Sequence, residues 1–417
     1  MRTSGPRAEQ TMSNRLPMLF ILITLMIDSM GIGLIMPVMP DLIIDVQGGD
    51  LASAAIWGGV LATSFAVMQF LFSPVVGSLS DRFGRRPVLL ISLAVMALDY
   101  AVMAIAGTIW LLFVGRIIGG ITAATQSTAS AFVADISAPE KKAQNFGLMS
   151  AAFGVGFVIG PMFGGLLSTF GPRAPFVAAA ALAGLNFAFG YFVLPETVTD
   201  RIRRPFMWRR ANPFGAFKNI GNLPGLKGLL VVYFLYQIAF FVYPAIWSYF
   251  TQERFGWEPV MVGYSLAAFG VSIAIVQGGL IRLIIPRLGE SRTVIIGFLF
   301  NMIACLAIGT ITNGWVVLAL TPLTALGAIA GPAMQGIISR IAGDDQQGEL
   351  QGVLASVAAI GTILSPLIMT STFSYFSNPA APIYLPGAPF LLSMVLMGLC
   401  AFVFLATSRR SVATSTP

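Results

Sequence analysis

Gly77-Ser-Leu-Ser-Asp81-Arg82-Phe83-Gly84-Arg85-Arg86-Pro87 stands between two long apolar stretches, and its position decides the fold. Gly84 falls mid-connection, where a tight turn between two helices needs a residue that tolerates positive φ. Arg82, Arg85 and Arg86 crowd a short connection between apolar runs, the arrangement that keeps a loop on the cytoplasmic side of a membrane.

Working outward, 56% of the 417 residues are hydrophobic, 10% are charged and the mean hydropathy is +0.84, which excludes a soluble domain. A spanning helix needs about 20 predominantly apolar residues. Twelve such stretches are expected, near 16–38, 52–76, 88–107, 109–134, 143–168, 174–195, 228–250, 260–284, 293–311, 315–338, 350–373 and 388–407. The amino-terminal residues 1–14 are polar and the first apolar run is too long for a signal-peptide core, so that run is expected to be the first span.

The chain repeats itself. A shift of 205 residues carries Gly84 to Gly289, Arg82 to Arg287 and Trp110 to Trp315, and Gly147, Gly156 and Pro161 to Gly352, Gly361 and Pro366. One offset serving three regions predicts an all-α membrane protein of twelve transmembrane helices in two parallel-repeat six-helix halves, with a site at the midplane. The expected organisation is a cytoplasmic tail 1–15, a bundle 16–197, a basic cytoplasmic linker 198–227, a bundle 228–407 and a cytoplasmic tail 408–417.

The net charge of +7 has a direction. With the amino end inside, 21 of the 24 Lys and Arg fall on the inner side, Arg173 and Arg254 on the outer side, and Arg116 within a span. That bias predicts both termini in the cytoplasm and a basic linker against anionic lipid, and it removes nucleic acid as a partner. Cys305 and Cys400 both lie in predicted spans and read as apolar filler rather than as a disulfide or metal site.

Charge inside a span is costly and so marks function by default. Asp28 lies near the middle of the first span, followed by Gly31, Gly33, Pro37 and Pro40, which should distort its outer half. Asp99 in the third span and Arg116 in the fourth lie at matching depth and can pair. The pair reads either as a structural clamp or as a protonation-dependent element. Asp28 has no sequence-local partner and is the leading residue for exchanging a proton against a cationic ligand. Histidine is absent, so proton coupling falls to carboxylates. The carboxyl half is expected to supply shape, aromatic surface and neutral polar groups, among them Tyr233, Tyr236, Gln237, Trp247, Gln277, Asn301 and Gln335.

The fifth span holds Gly147, Gly156, Gly160, Pro161, Gly164 and Gly165, a set that permits close helix approach and a bend. With the Gly77–Pro87 block, this pattern resembles the major facilitator superfamily and its drug/H+ antiporters. The resemblance narrows at Leu-Ile-Asp28-Ser-Met-Gly-Ile-Gly-Leu-Ile-Met-Pro-Val-Met-Pro, at Leu98-Asp99-Tyr100 and at Arg254-Phe-Gly-Trp257, all similar to the bacterial tetracycline/H+ antiporters. It implies an inner-membrane exporter that releases tetracycline or a similar amphipathic drug, with Mg2+ carried on the substrate and a proton as the coupling ion, and with no cofactor of its own. Asp28, Asp81, Arg82, Asp99 and Arg116 match transport-critical positions, and Gln69 matches one near the drug pathway. Ile273 and Asn301 stand where several members carry a histidine and an aspartate. An exporter or symporter of another metabolite stays open beside this reading, as does a non-transporting receptor. No nucleophile with a base and no metal cluster suggests an enzyme.

Overall fold

The computed structural model describes residues 15–123, 125–199, 203–208, 211–215, 225–342 and 346–413. Residues 1–14 of the expected amino-terminal tail, much of the 198–227 linker and the end of the carboxyl tail lie outside that set. The described residues form seventeen α-helices and no strand. They are α1 (Arg15–Ile35), α2 (Met39–Gln47), α3 (Leu51–Phe83), α4 (Arg85–Ile105), α5 (Ile109–Thr122), α6 (Thr125–Ile136), α7 (Lys142–Leu167), α8 (Ala174–Val193) and α9 (Lys227–Phe240). There follow α10 (Val242–Phe255), α11 (Pro259–Ile275), α12 (Ile281–Leu288), α13 (Glu290–Thr310), α14 (Gly314–Thr324), α15 (Ala330–Ile341), α16 (Gln347–Ser377) and α17 (Ala388–Ala413).

Twelve segments among the described residues are long and apolar enough to cross a membrane, as the apolar runs predict. Several are interrupted, for local reasons. Pro244 cannot donate the amide that would continue the ladder to Phe240, and the chain breaks there between α9 and α10. The tenth crossing is interrupted by a 3-10 stretch, Ala325–Ile329, placed between Pro322 and Pro332. The eighth carries a π-helical turn, Val276–Leu280, containing Gly278 and Gly279. The ends differ from the expected spans where helix outruns apolar sequence. The Gly77–Pro87 block is helical up to Phe83, and the connection shrinks to Gly84 alone, at φ 114°. Gly289, at φ 75°, separates α12 from α13 in the same way.

The helices cluster into two compact units, Met1–Val38 with Val67–Pro213, and Met39–Ala66 with Phe214–Pro417. The first unit is centred on Phe20, Ile21 and Leu25 of α1, Leu89 and Leu93 of α4, and Phe132 and Val133 of α6. The second is centred on Tyr236 of α9, Phe298 of α13, Met334 of α15 and Phe404 of α17. Large apolar side chains such as Leu98, Phe192, Ile303 and Phe402 stay exposed, the expected surface for a chain whose solvent is lipid.

Candidate transport site

The charged residues of the first unit converge. Asp99 on α4 is almost wholly buried and accepts a hydrogen bond and ion pair from Nη2 of Arg116 on α5. Arg116 also reaches Sδ of Met103, one turn beyond Asp99. Gly115 and Gly119 make room for the carboxylate, since a Cβ would lie 3.0 Å from Oδ1 at position 115 and 2.7 Å from Oδ2 at position 119. The buried Oδ1 has no hydrogen-bond partner among the described residues.

Next to Asp99, Tyr100 turns toward α1. A Cβ on Gly31 would lie 2.4 Å from its hydroxyl, so Gly31 is the notch that admits the ring. Asp28, one turn earlier on the same face of α1, is within electrostatic reach of Tyr100, as are Asp99 and Arg116. Asp28 is half-buried and receives no hydrogen bond or ion pair among the described residues. The three predicted charges thus form one group, joined by Tyr100. Nothing in composition flagged that tyrosine, and only its place in the Leu98-Asp99-Tyr100 triplet could have.

The opposite face of α1 is held by α7. A Cβ would meet Met26 O at 2.1 Å from Gly156, Met30 O at 2.6 Å from Gly160 and Leu34 O at 2.2 Å from Gly164. Backbone therefore touches backbone at three points over about two turns, and Pro161 lies against Gly33 within that contact. Gly165 is buried beside the seam. Gly147 is not part of it, having open space around its Cβ position.

At the far end of α3, Arg85 pairs with Asp81 at 2.5 Å and, through Nε, with Asp135 of α6 at 3.2 Å. Arg86 donates to the carbonyl of Tyr191 at 2.7 Å. Arg82 is exposed and stacks on Phe83, and Gly77 sits inside the helix with open space beside it. Sequence reasoning missed the residue that organises this corner. Glu196, just past α8, accepts from the backbone amides of Arg85 (2.9 Å), Arg86 (3.2 Å), Thr197 (2.9 Å) and Val198 (2.8 Å). A Cβ on Gly84 would lie 2.1 Å from Glu196 Oε2, so position 84 needs glycine for space as well as for φ. From the linker, the amide of Arg204 reaches Asp81 O at 3.3 Å.

The remaining predicted positions are scattered. Gln69 on α3 is half-buried and donates to Ala123 O at 3.1 Å. In the second unit Tyr236 stacks on Phe240, and Trp247 donates to Ser265 Oγ at 2.8 Å beside a small cavity lined by Tyr243, Leu266, Phe269, Thr321 and Thr324. Gln277 is exposed on the π-helical turn. Asn301 is fully buried and donates to Gly327 O at 2.9 Å, holding the 3-10 stretch of the tenth crossing. Ile273 packs against Val276, Ala325 and Ile329.

Residues 21–366 match the family model described as Major Facilitator Superfamily. The chain belongs to that superfamily. Within the superfamily it is 43% identical over 357 residues to the tetracycline resistance protein, class C, of Escherichia coli, covering 86% of this chain and 89% of the relative. It is 38% identical over 384 residues to the class D protein of Salmonella ordonez, covering 92% and 95%. Among solved structures, the human organic anion transporter MFSD10 aligns with a TM-score of 0.66 at 25% identity, over 94% of this chain and 99% of that one. The protein is a multi-pass membrane transporter of the superfamily fold.

Proposed function

We propose that the protein exports tetracycline or a similar amphipathic drug in exchange for protons, by alternating access between its two halves. The observation that carries the reading is Asp28, a carboxyl near the middle of the first span with no ion-pair partner among the described residues, set beside the Asp99–Arg116 pair and backed by a helix packed glycine to backbone. A carboxyl left without a fixed cation can hold either a proton or a cationic cargo, and that competition couples the two flows. The names of the class C and class D relatives make a tetracycline the first cargo to test. Mg2+ would then travel with the drug, and the protein would need no cofactor and perform no chemistry on its cargo. The lysine and arginine asymmetry supports cytoplasmic termini in a bacterial inner membrane.

One observation favours a neighbouring cargo. Asn301 is committed to Gly327, and neither it nor Ile273 can titrate. A related cationic drug that asks less of the second unit fits the same machinery.

The test is drug-driven proton release from inverted vesicles with an acidic lumen, comparing tetracycline plus Mg2+ with a panel of cationic dyes. Tetracycline should alkalinise the lumen, and Asp28→Asn should abolish the signal while the protein stays folded. Absence of a response to every compound in the native chain rules out the exchange reading.

A further inference from the structure

A second carboxyl, away from the Asp28 group, also sits where charge is costly. The short helix α2 follows the first span, and its Leu42 and Ile43 are fully buried within the second unit. Asp41 in its first turn is half-buried and accepts a hydrogen bond from the Gln252 side chain of α10. One turn back on α10, Tyr249 is buried within electrostatic reach of Asp41, and its hydroxyl has no hydrogen-bond partner among the described residues. A Cβ on Gly58 of α3 would lie 2.0 Å from that hydroxyl, so the three elements meet tightly there.

The charged groups nearby have other engagements. Glu253 accepts from the Tyr384 hydroxyl at 2.7 Å, and Arg254 reaches Thr310 O at 3.5 Å. Asp45 is exposed one turn further along α2. Asp50, at the start of α3, is held below its ordinary range by the backbone and hydroxyl of Ser53. Among the described residues the groups facing Asp41 are therefore a neutral amide and a phenol, not a cation.

We propose that Asp41 is a second proton-accepting residue of the exchange cycle, whose protonation favours docking of α2 on α10. The inference rests on the proton-exchange reading above. Burial pushes the Asp41 carboxyl from its ordinary 3.8 up to about 6, against the opposing pull of the Gln252 hydrogen bond. Between those values the docked carboxyl holds a proton that an undocked one has lost. Docking is therefore strongest at low pH and weakens as pH rises through about 6, by up to about tenfold per pH unit. An acidic outer medium would favour the docked state, which is the direction an importing proton requires.

The test uses the full-length chain with cysteine at Ile43→Cys, buried when docked, and at the exposed Gln47→Cys as a control for the pH dependence of the thiol reaction. Labelling by a membrane-impermeant maleimide, expressed as the ratio of the two sites, should rise about tenfold from pH 5 to pH 7. In an Asp41→Asn background the ratio should stay low and flat. Should Asp41→Asn fail to fold, Gln252→Leu, which removes the group lowering the carboxyl, should shift the midpoint upward. A flat ratio with Asp41 intact, an unchanged rise in Asp41→Asn or an unmoved midpoint in Gln252→Leu overturns the inference. Drug-driven proton release assayed on the same preparations separates the two readings: a native chain that shows release but no pH-dependent protection loses only the Asp41 role, whereas one that shows no release loses the exchange reading.

Discussion

Asp99 and Arg116 illustrate what a charge pair does when lipid surrounds it. Each ion loses its hydration, and the attraction between them offsets that loss only while both are present. Removing one partner leaves the other alone in low dielectric, a cost of about 3–5 kcal/mol. Asp99→Asn should therefore lower the thermal unfolding midpoint in detergent markedly, and Asp99→Asn combined with Arg116→Gln should recover most of the loss. An unshifted midpoint in Asp99→Asn would point away from a clamp and toward a pair that opens during transport. These charges were legible in the sequence because an ionised residue inside an apolar run is conspicuous without any structure. Tyr100, Gly115 and Gly119 were not, because their role is to fill or clear space beside a partner distant in the chain, and residue type alone does not report that.

At the scale of elements, the two helix-breaking glycines show how much a short motif determines. Gly84 turns the chain in one residue, and α4 then begins with two arginines whose charge opposes the positive end of the helix dipole. Glu196 resolves this by placing its carboxylate on the first amides of α4 while also accepting from the amides of Thr197 and Val198, in the segment that follows α8. Glu196→Ala leaves those amides without an acceptor and should cost about 0.5–2 kcal/mol, the range for loss of a helix cap. Glu196→Gln keeps an acceptor oxygen and should lose less. Equal loss in the two variants, read from thermal unfolding, would assign the role to charge rather than to capping. The glycine pattern of the fifth crossing was legible as a packing device, and Gly156, Gly160 and Gly164 form the seam with α1. The extension of α3 to Phe83 and the breaks within the seventh, eighth and tenth crossings were less so, because hydropathy marks where lipid ends, not where the backbone stops being helical.

Across the whole molecule, the 205-residue repeat preserves scaffold and discards chemistry. Asp28, Asp99 and Arg116 correspond to Tyr233, Ala304 and Thr321, so the intramembrane charge group exists only in the first unit. The pair that ties the start of the third crossing to the end of the fourth is kept, with its polarity reversed. Arg85 corresponds to Glu290 and Asp135 to Arg340, and the two pairs form independently within their own units. The reversal explains a further difference. Glu290 itself places negative charge in the first turn of α13, where the helix dipole favours it, and Ala401 stands where the first unit carries Glu196. Because the Arg340 side chain is 69% exposed, Arg340→Glu should cost no more than about 1 kcal/mol. Glu290→Arg, at a side chain only 17% exposed, also loses the favourable dipole interaction and should cost more. The double exchange should restore the pair and recover most of the loss. The corresponding exchange in the first unit, Arg85→Glu with Asp135→Arg, should not recover, because Asp81 and Ser80 also bond Arg85 and Glu196 would then face a second carboxylate. Recovery in both units, measured by thermal unfolding of the two double variants, would show that polarity is free to vary and that Glu196 is not what fixes it.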